Sequence, residues 1–76
     1  MIDFSVDGAG VLIVRNCGCG KHGLISTWTD HSEEWQSANA AHARRVIGEF
    51  RARWPERVTA LDSAAALVRK SEREVT

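Results

Sequence analysis

The spacing of apolar and polar positions divides the chain into strands and helices. Apolar and polar residues alternate over residues 2–7, which is the period of a half-buried β-strand. After a turn with two glycines, residues 11–16 begin with a continuous apolar, β-branched run, and residues 24–28 form a third short apolar segment. A continuous apolar strand is typical of a central position. The pattern therefore predicts a three-stranded antiparallel meander with the second strand in the middle.

The second half of the chain has helical periodicity. Asp30 followed by Glu33 fits a helix start of the capping-box type, and Pro55 ends the segment, so we predict a long helix over residues 31–54. At about 100° per residue its apolar face, which should cover the sheet, consists of Trp35, Asn39, His42, Ala43, Val46, Ile47, Phe50 and Trp54. A second short helix is predicted over residues 60–72, with an end that frays. The residues expected to dock it are Leu61, Ala65 and Val68.

The length of the chain limits how much apolar surface it can bury. Its 76 residues make one domain, and so short a chain needs a staple beyond its hydrophobic core. We predict a single α+β, zinc-binding domain over residues 1–76. Within it, residues 1–57 form the core and residues 58–76 add the C-terminal helix and tail.

A glycine-rich stretch over residues 16–23 is the candidate site of that staple. It contains both cysteines of the chain, Cys17 and Cys19, together with His22. A disulfide at this spacing would close a strained, very small ring, whereas two thiolates one residue apart can bind a single zinc ion. The sequence therefore predicts zinc. The alternatives are two buried thiols without a ligand, or a redox pair.

The positions of the histidines decide which of them can complete the zinc site. His31 and His42 are separated by about 16 Å if both are helical, so they cannot share one ion. The helix returns at His42 to the level of the cysteines, and we predict Cys17, Cys19 and His42 as three ligands. Without a metal, His42 would be a core histidine. His22, held in the same loop, is the first candidate for the fourth ligand, His31 is the alternative, and a bound water is a third possibility.

The same residues resemble a family. The Cys-Gly-Cys-Gly of residues 17–20, a short strand and an alanine-rich helix with Ala-Ala-His at residues 40–42 are similar to small zinc-finger-like proteins common in actinobacteria and their phages. The resemblance spans about residues 10–47. It implies a ββα-type zinc module in which the two cysteines and the histidine are ligands. A common Cys2His2 finger has a second histidine about three to five residues later, where this chain has Val46 and Ile47, so a standard base-reading finger is not expected.

Charge and composition limit the possible partners. Ten basic and ten acidic residues cancel, so the chain has no overall field that would attract nucleic acid. A basic strip on the long helix nevertheless suits phosphate contacts; its members are Arg44, Arg45, Arg51 and Arg53. We therefore expect a small zinc-binding regulatory module that binds DNA or the transcription machinery. The alternative is a protein-binding adaptor, or a phage-type inhibitor of a host protein, without nucleic-acid contact.

Two further classes of function are not expected. The sequence has no set of nucleophile, base and orienting residue and no phosphate-binding loop, so we do not expect an enzyme. No signal peptide is recognisable, and the longest apolar run covers residues 11–14, so we expect a cytoplasmic protein without a membrane span. The oligomeric state stays open.

Overall fold

The computed structural model describes residues 2–17 and 23–75, with side chains as far as residue 72. Its strands are β1 (Asp3–Val6), β2 (Leu12–Arg15) and β3 (Ile25–Thr27), and its helices are α1 (Glu33–Arg53) and α2 (Val58–Val75). One 3-10 turn precedes each helix, at Trp28–Asp30 and at Pro55–Arg57. The predicted α+β class, a three-stranded antiparallel sheet with a long and a second helix, is confirmed.

The sheet has β2 in its centre, as predicted, and pairs in the order β1-β2-β3. Phe4 lies opposite Val14, and Val14 lies opposite Ser26, so these three side chains share one face. The buried strand residues, all at even-numbered positions, are Phe4, Val6, Leu12, Val14 and Ser26. Both helices contact β1 and pack against this face. The hydrophobic core therefore lies between one face of the sheet and the two helices.

The turn between β1 and β2 is held against α2. The Asp7 carboxylate accepts two backbone N–H groups within the turn, each at 2.9 Å. Gly10 has φ of +87°, and a Cβ atom there would lie 2.7 Å from Cβ of Ser63 and 3.1 Å from the carbonyl oxygen of Ala60. Only glycine combines this left-handed backbone with so close an approach.

The start of α1 differs from the prediction. Ser32 is the N-cap, and its hydroxyl accepts the N–H of Trp35 at 3.2 Å. The Asp30 carboxylate instead accepts the N–H of Thr27 at 3.0 Å and closes the 3-10 turn that precedes the helix. Trp28 lies in that turn and does not end β3. The helix predicted from residue 31 therefore begins two residues later, because a second good cap follows the first.

The two helices pack against each other along much of their length. On α1 the buried residues are Ala40, Ala43 and Ile47, and on α2 they include Leu61, Ala64 and Val68. Leu61 and Val68 dock α2 as predicted, but Ala65 is only half-buried and Ala64 is fully buried in its place. The spacing of 61, 64 and 68 follows one face of a helix. Residues 58–75 are therefore part of the core and not an appendage to it.

The end of α2 is fixed by a buried polar network. The indole N–H of the buried Trp28 donates to the Ser71 hydroxyl at 3.2 Å, and that hydroxyl donates to Oε1 of Gln36 at 2.8 Å. Ser71 is only 5% exposed. The helix continues to Val75, beyond the end predicted at residue 72. A buried indole needs a hydrogen-bond acceptor, and α2 supplies it.

Candidate functional site

Cys17 lies two residues after the end of β2 and is buried. Asn16, just before it, has φ of 55°, a left-handed conformation that asparagine tolerates better than most residues. The N–H of Asn16 donates to the carbonyl oxygen of Leu24 at 3.0 Å, which closes the loop between β2 and β3. Cys17 is 7% exposed and belongs to the hydrophobic core.

The other two predicted ligands of the loop, Cys19 and His22, lie outside the described residues. Their part in a zinc site stays a prediction.

His42 lies on α1 beside the first strand. Its ring centroid is 5.2 Å from that of Phe4. Its Nε2 is 3.4 Å from the carbonyl oxygen of Ile2, and its Nδ1 is 3.1 Å from Nη2 of Arg45. Because a guanidinium only donates, Nδ1 accepts, and the proton of the neutral ring is on Nε2. The contact of Nε2 with the carbonyl is long and therefore weak. For Nε2 to bind a metal, the ring proton would have to move to Nδ1, and the contact with Arg45 would be lost.

Cys17 and His42 lie at the same end of the sheet. Extending the β1–β2 register by one residue sets Ile2 opposite Asn16, next to Cys17, and His42 contacts the carbonyl of Ile2. Cys17 belongs to the core on the covered face, and His42 contacts Phe4 on that face. The two described candidates thus lie toward the same end of the sheet, and thiolate and imidazole are ordinary zinc ligands.

His31 lies toward the opposite end of the sheet. It is buried, its Nδ1 is 3.0 Å from the carbonyl oxygen of Thr27, and its ring stacks on Trp35 with centroids 3.9 Å apart. Thr27 pairs with Ile13, four residues before Cys17, or roughly 13 Å along the strand. This distance counts against His31 as the fourth ligand.

Within residues 2–17 and 23–72, no three histidine, cysteine or acidic side chains come together as a metal site. Only Cys17 and His42 of the predicted set belong to those residues. The four-ligand site of Cys17, Cys19, His22 and His42 therefore stays a prediction.

The four arginines predicted to bind nucleic acid or a partner are all exposed but all have contacts within the protein. Arg44 pairs with Glu72 at 3.0 Å, and Arg51 pairs with Asp62 at 2.6 Å. The remaining two, Arg45 and Arg53, contact His42 and the ring of Trp54 respectively. The strip is therefore half neutralised by α2, and it is less suited to a phosphate backbone than the sequence indicated.

One surface was missed by the sequence analysis. The odd-numbered strand positions face away from the helices, and two of them, Ile13 and Ile25, are apolar. Val11, the residue just before β2, is also apolar and exposed. We call the surface formed by these three residues the open sheet face. Val11 is 39% exposed, Ile25 is 63% exposed, and Ile13 is half-buried. Both helices pack on the other side of the sheet.

Comparison with protein families, with curated proteins and with solved structures gives no match. No helix in the described part of the chain has both the length and the apolar character needed to cross a bilayer.

Proposed function

We propose that the chain is a small binding module for a protein partner and that the open sheet face is its contact surface. The observation that carries the proposal is the cluster of Val11, Ile13 and Ile25 on the sheet face opposite the helices. An exposed apolar patch rimmed by polar groups is typical of a protein-binding site. Here the cross-strand residues Asp3 and Arg15 supply charges of both signs on the same face. Such a mixed rim suits a protein surface better than a polyanion.

The edge of the sheet extends this surface. β3 is an edge strand. Charged residues and proline usually protect an edge strand from pairing with another chain, and the three residues of β3 include neither. Leu24, just before it, is 77% exposed. An extended segment of the partner could add to β3 by backbone hydrogen bonds while its side chains contact Ile25.

Zinc enters this proposal as a structural element. Cys17, Cys19, His22 and His42 would hold the ion, and a site closed by four protein ligands supplies stability and no reactive water. The loop between β2 and β3 would then be tied to α1. This connection would fix the position of β3 and with it the edge of the binding surface.

Affinity capture with matched variants tests the proposal. The immobilised protein should retain one host protein, from the transcription apparatus or from another assembly. Ile25→Lys should abolish its retention, because a charge then stands in the apolar patch. Ala66→Lys adds the same charge at an exposed position of α2 and should leave retention unchanged. Retention of the same protein by the Ile25→Lys variant would refute the proposal.

DNA is the second candidate ligand. In its favour, Arg45 and Arg53 are exposed and neither is ion-paired to a carboxylate among the described side chains. Duplex binding should then weaken with salt, and replacing both arginines by alanine should reduce the slope of log K against log salt by about two. A lack of duplex binding at about 50 mM salt would exclude this candidate.

A further inference from the structure

A groove runs between the two helices and is independent of the open sheet face. Its volume is about 200 Å³. Its floor is formed by Ile47, Ala65 and Val68, and its rim by Arg44, Arg51 and Arg69. The groove is smaller than sites for drug-sized molecules, which start at about 300 Å³, and is closer to the size of one large side chain.

The rim arginines keep donors available for a ligand. Arg44 uses Nη1 for Glu72, and Arg51 uses Nη2 for Asp62, so each ion pair engages one nitrogen of a guanidinium that carries five N–H donors. The side chains of Arg44 and Arg51 are 65% and 44% exposed. Exposed ion pairs contribute little to stability, so carboxylates of a partner can share or replace these contacts.

We propose that this groove binds an acidic segment of a protein partner. The segment places one large apolar side chain against Ala65, above the buried Ile47 and Val68, and it sets carboxylates against Arg44 and Arg51. These arginines are two helical turns apart, or roughly 10 Å. A partner helix with two acidic residues at the same separation, and one apolar residue between them, matches the rim and the floor together.

The composition of the groove favours a peptide over a nucleic acid. A phosphate backbone offers no aliphatic group to cover the apolar floor of the groove. A guanidinium binds a carboxylate in the same bidentate geometry as a phosphate, so the rim arginines suit an acidic side chain.

Titration with synthetic peptides tests the inference. The probe is a helical peptide of about 15 residues in which two glutamates stand two turns apart with one leucine between them. Two control peptides replace the leucine by alanine or both glutamates by lysine. The probe should shift the amide resonances of Ile47, Ala65 and Val68, and each control should bind at least about tenfold more weakly.

Variants of the protein separate the groove from general charge. Ala65→Gln fills the floor without a charge and should weaken probe binding at least about tenfold, as should Arg44→Ala combined with Arg51→Ala. Arg53→Ala removes an exposed arginine outside the groove and should change the affinity less than about twofold.

Three outcomes would overturn the inference: no shift at the groove amides with the probe, equal binding of the lysine peptide, or an unchanged affinity in Ala65→Gln. Displacement of the bound probe by a DNA duplex, with groove shifts caused by the duplex alone, would assign the groove to nucleic acid instead.

Discussion

Ser71 shows how much a single buried hydroxyl contributes to this fold. It accepts the indole N–H of Trp28 and donates to Gln36, residues 43 and 35 positions away in the chain. Both partners lie in or near α1 and its preceding turn, so the hydroxyl joins the last turns of α2 to the start of α1. If the hydroxyl were removed, the indole N–H of Trp28 and the side-chain oxygen of Gln36 would both lose a hydrogen-bond partner.

Replacement of Ser71 by alanine should therefore lower the free energy of unfolding by about 1–3 kcal/mol, measured by urea denaturation. Ser63→Ala is the matched control, because Ser63 is exposed, and it should change stability by less than about 0.5 kcal/mol. Equal effects of the two substitutions would show that the network does not stabilise the fold.

Contacts of this kind are not accessible to sequence analysis. The periodicity of α2 predicted Leu61 and Val68 correctly, because apolar spacing is a local property. Ser71 looks like a residue of a fraying end, since its partners are chosen by the tertiary fold.

At the scale of elements, the hairpin turn and α2 are joined by a close backbone approach. Gly10→Ala should lower the free energy of unfolding by about 2 kcal/mol or more, because the new Cβ meets Ser63 and the backbone has positive φ. Gly8→Ala in the same turn has open space around its Cβ and should have little effect. Thermal or urea unfolding of both variants measures the difference, and a Gly8 variant as unstable as the Gly10 variant would contradict this packing.

The metal is the second prediction at this scale. The purified protein should contain one zinc per chain, and a chelator should lower its midpoint of thermal unfolding, because the ion binds only the folded state. At a free zinc concentration of 100 times Kd the stabilisation would be about 2.7 kcal/mol. Metal analysis and calorimetry measure both quantities.

Single variants of the three histidines identify the fourth ligand. His22→Ala should lose zinc, as should His42→Ala, whereas His31→Gln should retain it because His31 lies beside Thr27, away from Cys17. A protein that is metal-free and whose unfolding does not respond to a chelator would exclude the zinc site.

At the scale of the whole molecule, the class and the order of the elements followed from periodicity, and so did the central position of β2. What the pattern could not determine was the side of the sheet on which the helices lie together. The run of residues 11–14 is apolar at both odd and even positions, and only the tertiary structure shows that the even positions are buried. The open sheet face is the consequence, and it changes the favoured partner from nucleic acid to protein.

Photo-cross-linking tests this central claim most directly. A photoreactive amino acid at position 25, in the open sheet face, should form a covalent adduct with one host protein, and the same group at the exposed position 66 of α2 should not. Detection of that adduct by mass spectrometry is the result we predict. If the partner is still captured but cross-links only from position 66, the open sheet face is not the binding surface.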